Sequence, residues 1–370
     1  MRKKRFCAGL RTGLRCVSLA LLCLSLTLVL SPVESPAAPT AGAASILQNA
    51  PEQGGQVSLP QIGDKLIPLG MTTGIKLFSQ GTMVVGFSAL EGVGSCPARE
   101  GGLKTGDVLL ALNGQEIGGN EDLTRQLSEL SRETAIFTVL REGSQREITV
   151  QAVYDPSLEC YRIGAWVRDS VAGIGTVTFV DPETGVFGAL GHGICDADTG
   201  LLIPFGSGSV MRSSVDRVQK GTAGTPGQLC GSFDLVRDQG WLGSNTRAGI
   251  FGCITRDERY QGAKPVETAP HSAIHPGPAV IRSNVSGTEV REYAVEILRV
   301  YPADDQTGRD LMLQVTDPAL LSVTGGIVQG MSGSPILQDG KLVGAVTHVL
   351  VNDPTRGYGI SLEEMLDAAG

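Results

Sequence analysis

The residues best suited to covalent chemistry lie in the stretch GGIVQGMSGSPI, residues 325–336. Ser332 stands there directly before Gly333 and two residues after Gly330. A tight turn between strands would explain this composition, because glycine, serine and proline all favour turns. A catalytic serine needs the same setting, since its hydroxyl must be exposed on a sharp turn beside backbone N–H groups that bind an oxyanion. The stretch therefore predicts either a plain turn or a nucleophile.

Of the two serines in this turn, Ser332 suits a nucleophile better than Ser334. The backbone N–H groups of Gly330 and Ser332 can converge on an oxyanion, because glycine brings no Cβ clash. Ser334 precedes Pro335, which restricts its backbone. The G-x-S-x-G elbow of α/β-hydrolases is excluded, because Ser334 stands where the last glycine belongs.

A serine hydroxyl becomes a good nucleophile when an imidazole takes its proton, and the chain has four histidines. His192 lies in GALGHGI, at the end of an apolar run and between glycines that expose its ring. A histidine that precedes the serine in a β-rich domain is the order found in chymotrypsin-like proteases. His348 lies in the middle of the apolar run AVTHVLV, which favours a core or substrate-groove position.

A third group must orient the imidazole and stabilise its charged form. Asp317, in QVTDPALL, ends a strand fifteen residues before the serine. Asp234, in GSFDLV, follows the histidine by 42 residues, which is closer to the spacing of ordinary chymotrypsin-like chains. Asp196 and Asp198 would simply face solvent in a turn. Spacing alone does not choose among these carboxylates.

Two other arrangements of reactive side chains carry little weight. HSAIH places His271 and His275 four residues apart, as in half a zinc site, but the surrounding prolines break the helix that would bring the pair together. Cys195 lies three residues after His192, but a cysteine nucleophile would leave the serine turn without a role. Neither a metal nor a cofactor is predicted.

The first forty residues differ from the rest of the chain. They begin with six Lys and Arg, and residues 17–30 then contain no charge. A basic start followed by an apolar segment and small residues is typical of a secretory signal peptide. A retained segment of this length would be a short membrane anchor. Residues 1–40 are therefore predicted as a signal peptide or short anchor, and residues 41–61, rich in Pro, Ala, Gly and Gln, as a linker.

The composition of the remaining chain favours many short strands joined by tight turns, since the protein has 50 glycines and only 5% aromatic residues. Residues 1–40 carry six of the 30 Lys and Arg but one of the 38 Asp and Glu, so the rest of the chain is strongly acidic. This charge argues against nucleic acid or an anionic membrane surface as a partner.

Residues 62–153 resemble a PDZ domain of the bacterial, circularly permuted type. The resemblance rests on CPAREGGLKTGDVLLALNGQEI, with a short helix, a Gly-Asp turn into a strand and an Asn-Gly turn after it. PDZ domains bind a peptide along a sheet edge and hold its carboxylate with backbone N–H groups. By resemblance that loop would be Thr73-Gly74-Ile75. Alternatively, the domain only packs against its neighbour.

Residues 160–370 show strand after strand with glycine-rich turns, which indicates an antiparallel barrel or sandwich. WVRDSVAGIGTVTF, GALGHGI, TDPALL, TGGIVQGMSGSPI and GAVTHVLVNDPTRGYGI together resemble the stage IV sporulation protein B family of serine peptidases. The predicted fold is thus mainly β: a circularly permuted PDZ domain followed by a chymotrypsin-like antiparallel β-barrel peptidase domain.

The resemblance implies a catalytic triad of His192, Asp317 and Ser332. It places the aspartate later in the chain than ordinary chymotrypsin-like topology does. The backbone N–H groups of Gly330 and Ser332 would form the oxyanion hole.

The resemblance also implies a biological role. Members are exported into the space between the forespore and mother-cell membranes. They cleave a membrane protein that restrains an intramembrane protease, so that a sigma factor is activated, and they cleave themselves near the N-terminus. The rival function is an exported, non-catalytic PDZ binding module with an inert peptidase domain.

Overall fold

A computed structural model describes residues 59–254, 260, 262–302 and 308–369, and strands make up most of that part of the chain. The predicted leader, residues 1–40, lies outside the described residues, as does most of the predicted linker, residues 41–61. Within the described ranges, no helix has both the length and the apolar character needed to cross a bilayer. The mainly β class predicted from the composition is confirmed.

Six antiparallel strands close into a first barrel. In chain order they are β1 (Lys65–Phe87), β8 (Ala165–Val180), β9 (Val186–Ala189), β10 (Phe205–Gln219), β11 (Gln228–Thr246) and β12 (Gly249–Ile254). Around the ring the order is β1-β8-β9-β12-β11-β10, and β10 closes it by pairing with β1. Along β1, Ile67, Leu69 and Met71 enter the barrel core at every second position, which is the period of a strand.

A second barrel follows in the chain and is also closed. Its strands are β14 (Gly277–Ser286), β15 (Glu289–Val300), β16 (Leu311–Val315), β17 (Pro335–Gln338), β18 (Lys341–Leu350) and β19 (Asp353–Ser361). They pair antiparallel in the order β14-β15-β16-β19-β18-β17, and β14 and β17 complete the ring. Closure removes the exposed strand edges of an open sheet.

A smaller unit is inserted between β1 and β8. Its entry and exit lie side by side, since Phe87 at the end of β1 pairs with Ala165 at the start of β8. It has a core of its own, in which Leu109, Phe137 and Val150 are fully buried. Its elements are α1 (Pro97–Glu100), β2 (Val108–Leu112), β3 (Gln115–Glu116), α2 (Asn120–Ser128), β4 (Thr134–Arg141), β5 (Ser144–Gln151), β6 (Val153–Asp155) and β7 (Cys160–Arg162).

The domain order predicted from the sequence is corrected by this topology. Because β1 belongs to the first barrel, the two-barrel unit begins at Lys65 rather than at residue 160, and the PDZ block is inserted into it instead of preceding it. Thr73-Gly74-Ile75, predicted as the peptide-binding loop, lie inside β1 and pair with β8 on one side and β10 on the other. With both edges occupied no peptide strand can add there, so that prediction is wrong.

The two barrels share an apolar layer. Leu66, Phe179 and Phe251 of the first barrel pack with Ile360 of the second and with the C-terminal helix α4 (Leu362–Ala369). The chain between the barrels contains β13 (Val266–Glu267), which pairs with β1, and a 3-10 helix (His271–Ala273). The barrels are thus held as neighbours by burial of apolar surface.

We expect residues 160–370 alone not to form the first barrel, because this fragment lacks β1, one of the six strands that close it. Replacing residues 88–164 with an Asn-Gly turn keeps both β1 and β8, whose ends already pair, and should give a folded protein. Circular dichroism with urea unfolding tests both chains. A 160–370 fragment with the same strand content per residue and the same urea midpoint as the loop-replaced protein would contradict the assignment of β1 to the first barrel.

Candidate active site

The serine turn lies where the two barrels touch, between α3 (Pro318–Thr324) and β17. Gly333 has a φ of +95°, and a Cβ there would lie 2.6 Å from the backbone nitrogen of Leu190 and closer still to Thr176 O. Only glycine permits such an approach. The N–H of Thr176 also donates to Ser332 O at 3.1 Å, so backbone contacts join the turn to the first barrel.

Ser332 and Ser334 lie in different environments. Ser332 is half-buried, and its hydroxyl donates to Thr347 O at 2.8 Å. Ser334 is fully buried, and its hydroxyl lies 3.2 Å from that of Ser283. Of the two, only Ser332 is placed where a substrate can reach its hydroxyl.

Two backbone N–H groups beside Ser332 have no acceptor. In the part of the chain that the structure describes, nothing accepts a hydrogen bond from the N–H of Gly330 or of Ser332. Their carbonyls are fixed by Thr176, whose hydroxyl donates to Gly330 O at 2.7 Å. The turn thus presents a pair of free donors on either side of Met331, the pair that the sequence predicts for an oxyanion.

The His192 turn follows β9 and packs against the strand that holds the Ser332 hydroxyl. A Cβ on Gly191 would lie 2.9 Å from the side chain of Thr347. Leu190 has a φ of +69°, a left-handed conformation that is uncommon for a branched residue. Such strain is typical of functional sites and persists only where the surroundings impose it. The structure therefore brings together the two turns that carry the predicted base and nucleophile.

The tautomer of His192 follows from its hydrogen bond. Its Nδ1 lies 2.9 Å from Gly193 O, and a carbonyl oxygen only accepts, so Nδ1 carries the proton. The other ring nitrogen, Nε2, is then the basic one. Burial lowers the pKa of His192, although the hydrogen bond to Gly193 O opposes this shift. The ring therefore stays neutral down to a lower pH than an exposed histidine does. Both properties are those of a general base.

Asn245 fixes the segment that follows His192. Its side-chain oxygen accepts from the N–H of Ile194 at 2.8 Å, and its amide nitrogen donates to Ile194 O at 3.0 Å and to Ile203 O at 2.9 Å. The sequence analysis missed this residue, because GSNTRAG predicts only a turn.

Asp196 is almost fully buried, which corrects the prediction that it faces solvent. Its carboxylate pairs with Arg168 of β8 at 2.6 Å, and the same guanidinium pairs with the exposed Asp198. A buried carboxylate is stable when it is paired in this way. The loop after His192 is therefore tied to the strand that returns from the inserted unit.

His348 lies beside the predicted base. A β-bulge between Val346 and His348 shifts the register of β18 against β19, and bulges re-aim side chains near active sites. The ring centroids of His192 and His348 are 5.4 Å apart. Burial, with the charges of His192 and Arg309, lowers the pKa of His348 to about 3, so its ring is neutral at ordinary pH.

Asp317 caps α3 and does not contact His192. Its Oδ1 accepts from the N–H groups of Ala319 at 2.9 Å and Leu320 at 3.1 Å, and its Oδ2 accepts from Ala294 N at 3.3 Å. Within the described residues, no hydrogen bond joins Asp317 to the His192 ring. The prediction that it would lie within hydrogen-bond reach of the imidazole is therefore wrong for this structure, because the helix N-terminus takes its oxygens.

The other predicted side chains lie outside this cluster. Asp234 accepts from Val236 N at 2.9 Å within β11. His275 bonds Asp339 at 2.9 Å on the surface. No group of three or more His, Cys, Asp or Glu that could hold a metal occurs among the described residues.

The capping role of Asp317 makes a prediction about two variants. Asn caps a helix as well as Asp, so Asp317→Asn should leave stability nearly unchanged, whereas Asp317→Ala should lower it by about 1 kcal/mol. We expect peptide cleavage by Asp317→Asn to stay within about tenfold of the wild type. Urea unfolding and steady-state kinetics measure the two effects. A loss of about 10⁴-fold in turnover with intact stability would instead place Asp317 in the triad.

The buried, neutral His348 predicts acid sensitivity. In the unfolded chain it takes up a proton near its ordinary pKa of 6.5, but in the folded protein only near 3. Between these values the unfolded state binds more protons, so the free energy of unfolding falls as the pH falls. His348→Phe should lose less stability than the wild type between about pH 7 and about pH 4.5. Urea unfolding at both values tests this, and equal losses would show that His348 is protonated in the folded state.

The chain matches the models of two known families. The family described as SpoIVB peptidase S55 matches residues 159–366, and the PDZ domain family matches residues 91–152. No curated protein matches the chain.

Two solved structures show distant similarity. The inactive form of the Rv3671c protease is 13% identical over 52% of this chain and 80% of that one, with a TM-score of 0.28. The active form of the same protease, from M. tuberculosis, is 15% identical over 52% of this chain and 71% of that one, with a TM-score of 0.29. The family match spans more than half of the chain, and the chain therefore belongs to the SpoIVB peptidase S55 family and is a serine peptidase with a PDZ domain.

Proposed function

We propose that this protein is an endopeptidase in which Ser332 attacks the peptide carbonyl and His192 takes the serine proton. One observation carries the proposal. Gly333 of the serine turn lies against Leu190 of the histidine turn, and Gly191 lies against Thr347, whose carbonyl accepts from Ser332. Nucleophile and base are thereby held near each other by backbone packing rather than by mobile side chains.

The first chemical step requires a rotation of the Ser332 side chain. Its hydroxyl now donates to Thr347 O, and release from that carbonyl frees it to donate to Nε2 of His192. Hydrogen bonds in an uncomplexed site often tighten only with substrate. As the tetrahedral intermediate forms, the free N–H groups of Gly330 and Ser332 donate to its oxyanion. His192 then returns the proton to the leaving amine.

In this arrangement the Gly193 carbonyl has the orienting role that an aspartate has in chymotrypsin-like enzymes. It accepts from Nδ1 at 2.9 Å and so keeps Nε2 unprotonated. A neutral carbonyl stabilises the imidazolium less than a carboxylate does. A modest turnover number is therefore expected, together with an acid limit set by His192.

The biological role that we propose follows the family. The enzyme is exported to the space between forespore and mother-cell membranes, cleaves the membrane-bound regulator of an intramembrane protease, and cleaves itself. The sigma factor is activated as a result. The support is the family match and the basic, apolar start of the chain. The PDZ unit would present the protein substrate, although not through Thr73-Gly74-Ile75.

The rival function, a binding module with an inert peptidase domain, makes a different prediction. An inert domain gains nothing from two N–H groups without a protein acceptor beside an accessible serine, because each of them forgoes a hydrogen bond that would stabilise the fold. Reaction with a serine-directed fluorophosphonate separates the two functions, since only an activated serine is labelled.

We expect Ser332→Ala to lose cleavage by about 10⁶-fold, because the nucleophile is removed. Ser334→Ala is the matched control, since Ser334 is buried against Ser283 and should affect stability more than turnover. Mass spectrometry of a protein substrate and fluorophosphonate labelling of the full chain measure both. Labelling of Ser332→Ala at the wild-type rate would show that the nucleophile is misassigned.

A further inference from the structure

We propose that the groups beside His192 form a substrate subsite for an acidic side chain, with Arg309 and His348 as the residues that recognise its carboxylate. This inference rests on the proposed function, because the subsite is defined by its position next to the catalytic base.

The geometry is a row of side chains on the second barrel. His348 of β18 is paired with Tyr358 of β19 across the strands, and directly opposed residues share a face of the sheet. The guanidinium of Arg309 lies 5.3 Å from the centre of the Tyr358 ring. The ring of His348 in turn lies 5.4 Å from that of His192. The row therefore leads from the base to a fixed positive charge.

Two nitrogen atoms of this row lack partners. Both Nδ1 of His348 and Nε of Arg309 are enclosed, and among the described residues neither makes a hydrogen bond. Unpaired polar groups away from water carry a penalty of about 1–3 kcal/mol, and more for a charged group. Two such atoms in one row beside the proposed active site can pair with a group that a substrate brings.

The charge of the row favours a carboxylate. Within the described chain Arg309 forms no ion pair with an acidic residue. The neighbouring carboxylate of Asp310 is fully buried, and its Oδ2 accepts from Ser361 N at 2.7 Å. His348 is neutral, so its Nδ1 can carry the proton and donate. An arginine guanidinium is a strong, charge-assisted partner for a carboxylate, and the N–H of a neutral imidazole adds a second donor.

The subsite must lie close to the cleaved bond. An extended chain advances by about 3.3–3.6 Å per residue, and the His348 ring is 5.4 Å from the base. The acidic side chain therefore belongs to a residue within about two positions of the cleaved peptide bond.

The test uses the full chain and a peptide library in which each position carries Glu, Gln or Lys. At one position next to the cleavage site, the wild type should cleave Glu peptides with kcat/KM about tenfold or more above Gln peptides. The Glu-to-Gln ratio should fall to about one in Arg309→Gln and fall in part in His348→Phe, which keeps an aromatic ring against His192.

Arg299→Gln is the matched control, because Arg299 also lies over a tyrosine, Tyr301, at 4.8 Å, but on the exposed side of β15. It should keep the wild-type ratio. If the wild type cleaves Glu and Gln peptides with equal kcat/KM at every position, the proposal is overturned. An unchanged ratio in Arg309→Gln, or an equal drop in Arg299→Gln, would also overturn it.

A binding measurement separates failure of this inference from failure of the proposed function. The library peptides are titrated against Ser332→Ala by fluorescence anisotropy, where no turnover is required. The subsite is supported if Ser332→Ala binds Glu peptides more tightly than Gln peptides and if this preference is lost in the double variant with Arg309→Gln. This result would support the subsite even if the wild type cleaves nothing. Cleavage without any Glu preference in either assay rejects the subsite and leaves the peptidase intact.

Discussion

The active site depends on the backbone contact between Gly333 and the first barrel. Any side chain at this position would overlap Thr176 O and Leu190 N. The contact joins the turn that carries Ser332 to the turn that precedes His192, so the two barrels together position the proposed nucleophile and base. Thr176 donates hydrogen bonds to the carbonyls of Gly330 and Ser332 and so fixes the turn, whose N–H groups at these two residues have no acceptor among the described residues.

The inserted unit shares its entry and exit strands with the barrel that carries His192. β8 returns from the unit through Arg168, whose guanidinium holds the buried Asp196 in the loop after the histidine. Asn245 holds the same loop from the other side. The inserted unit and the loop after His192 are thus connected through one strand and one ion pair.

The sequence identifies the serine and histidine turns because close backbone approach demands glycine, and glycine is visible in the motif. It does not identify what depends on pairing between distant segments. The place of β1 in the first barrel, the enclosure of Arg309 Nε and the hydrogen bonds of Asn245 follow from barrel closure, which has no local signature. Asp317 shows a further limit: an aspartate before a proline predicts a helix cap as well as a triad member. Both interpretations fit T-D-P, and only the packing of α3 separates them.

The side-by-side ends of the inserted unit have a consequence for the order of folding. β1 and β8 are partners, yet the whole unit lies between them in the chain, and joining them from an unfolded chain would cost the entropy of closing a long loop. A folded insert brings Phe87 and Ala165 together, so the remaining closure resembles that of a hairpin. The insert would thus act as an internal folding template, and a slow-folding insert would delay maturation of the peptidase even with every catalytic residue intact.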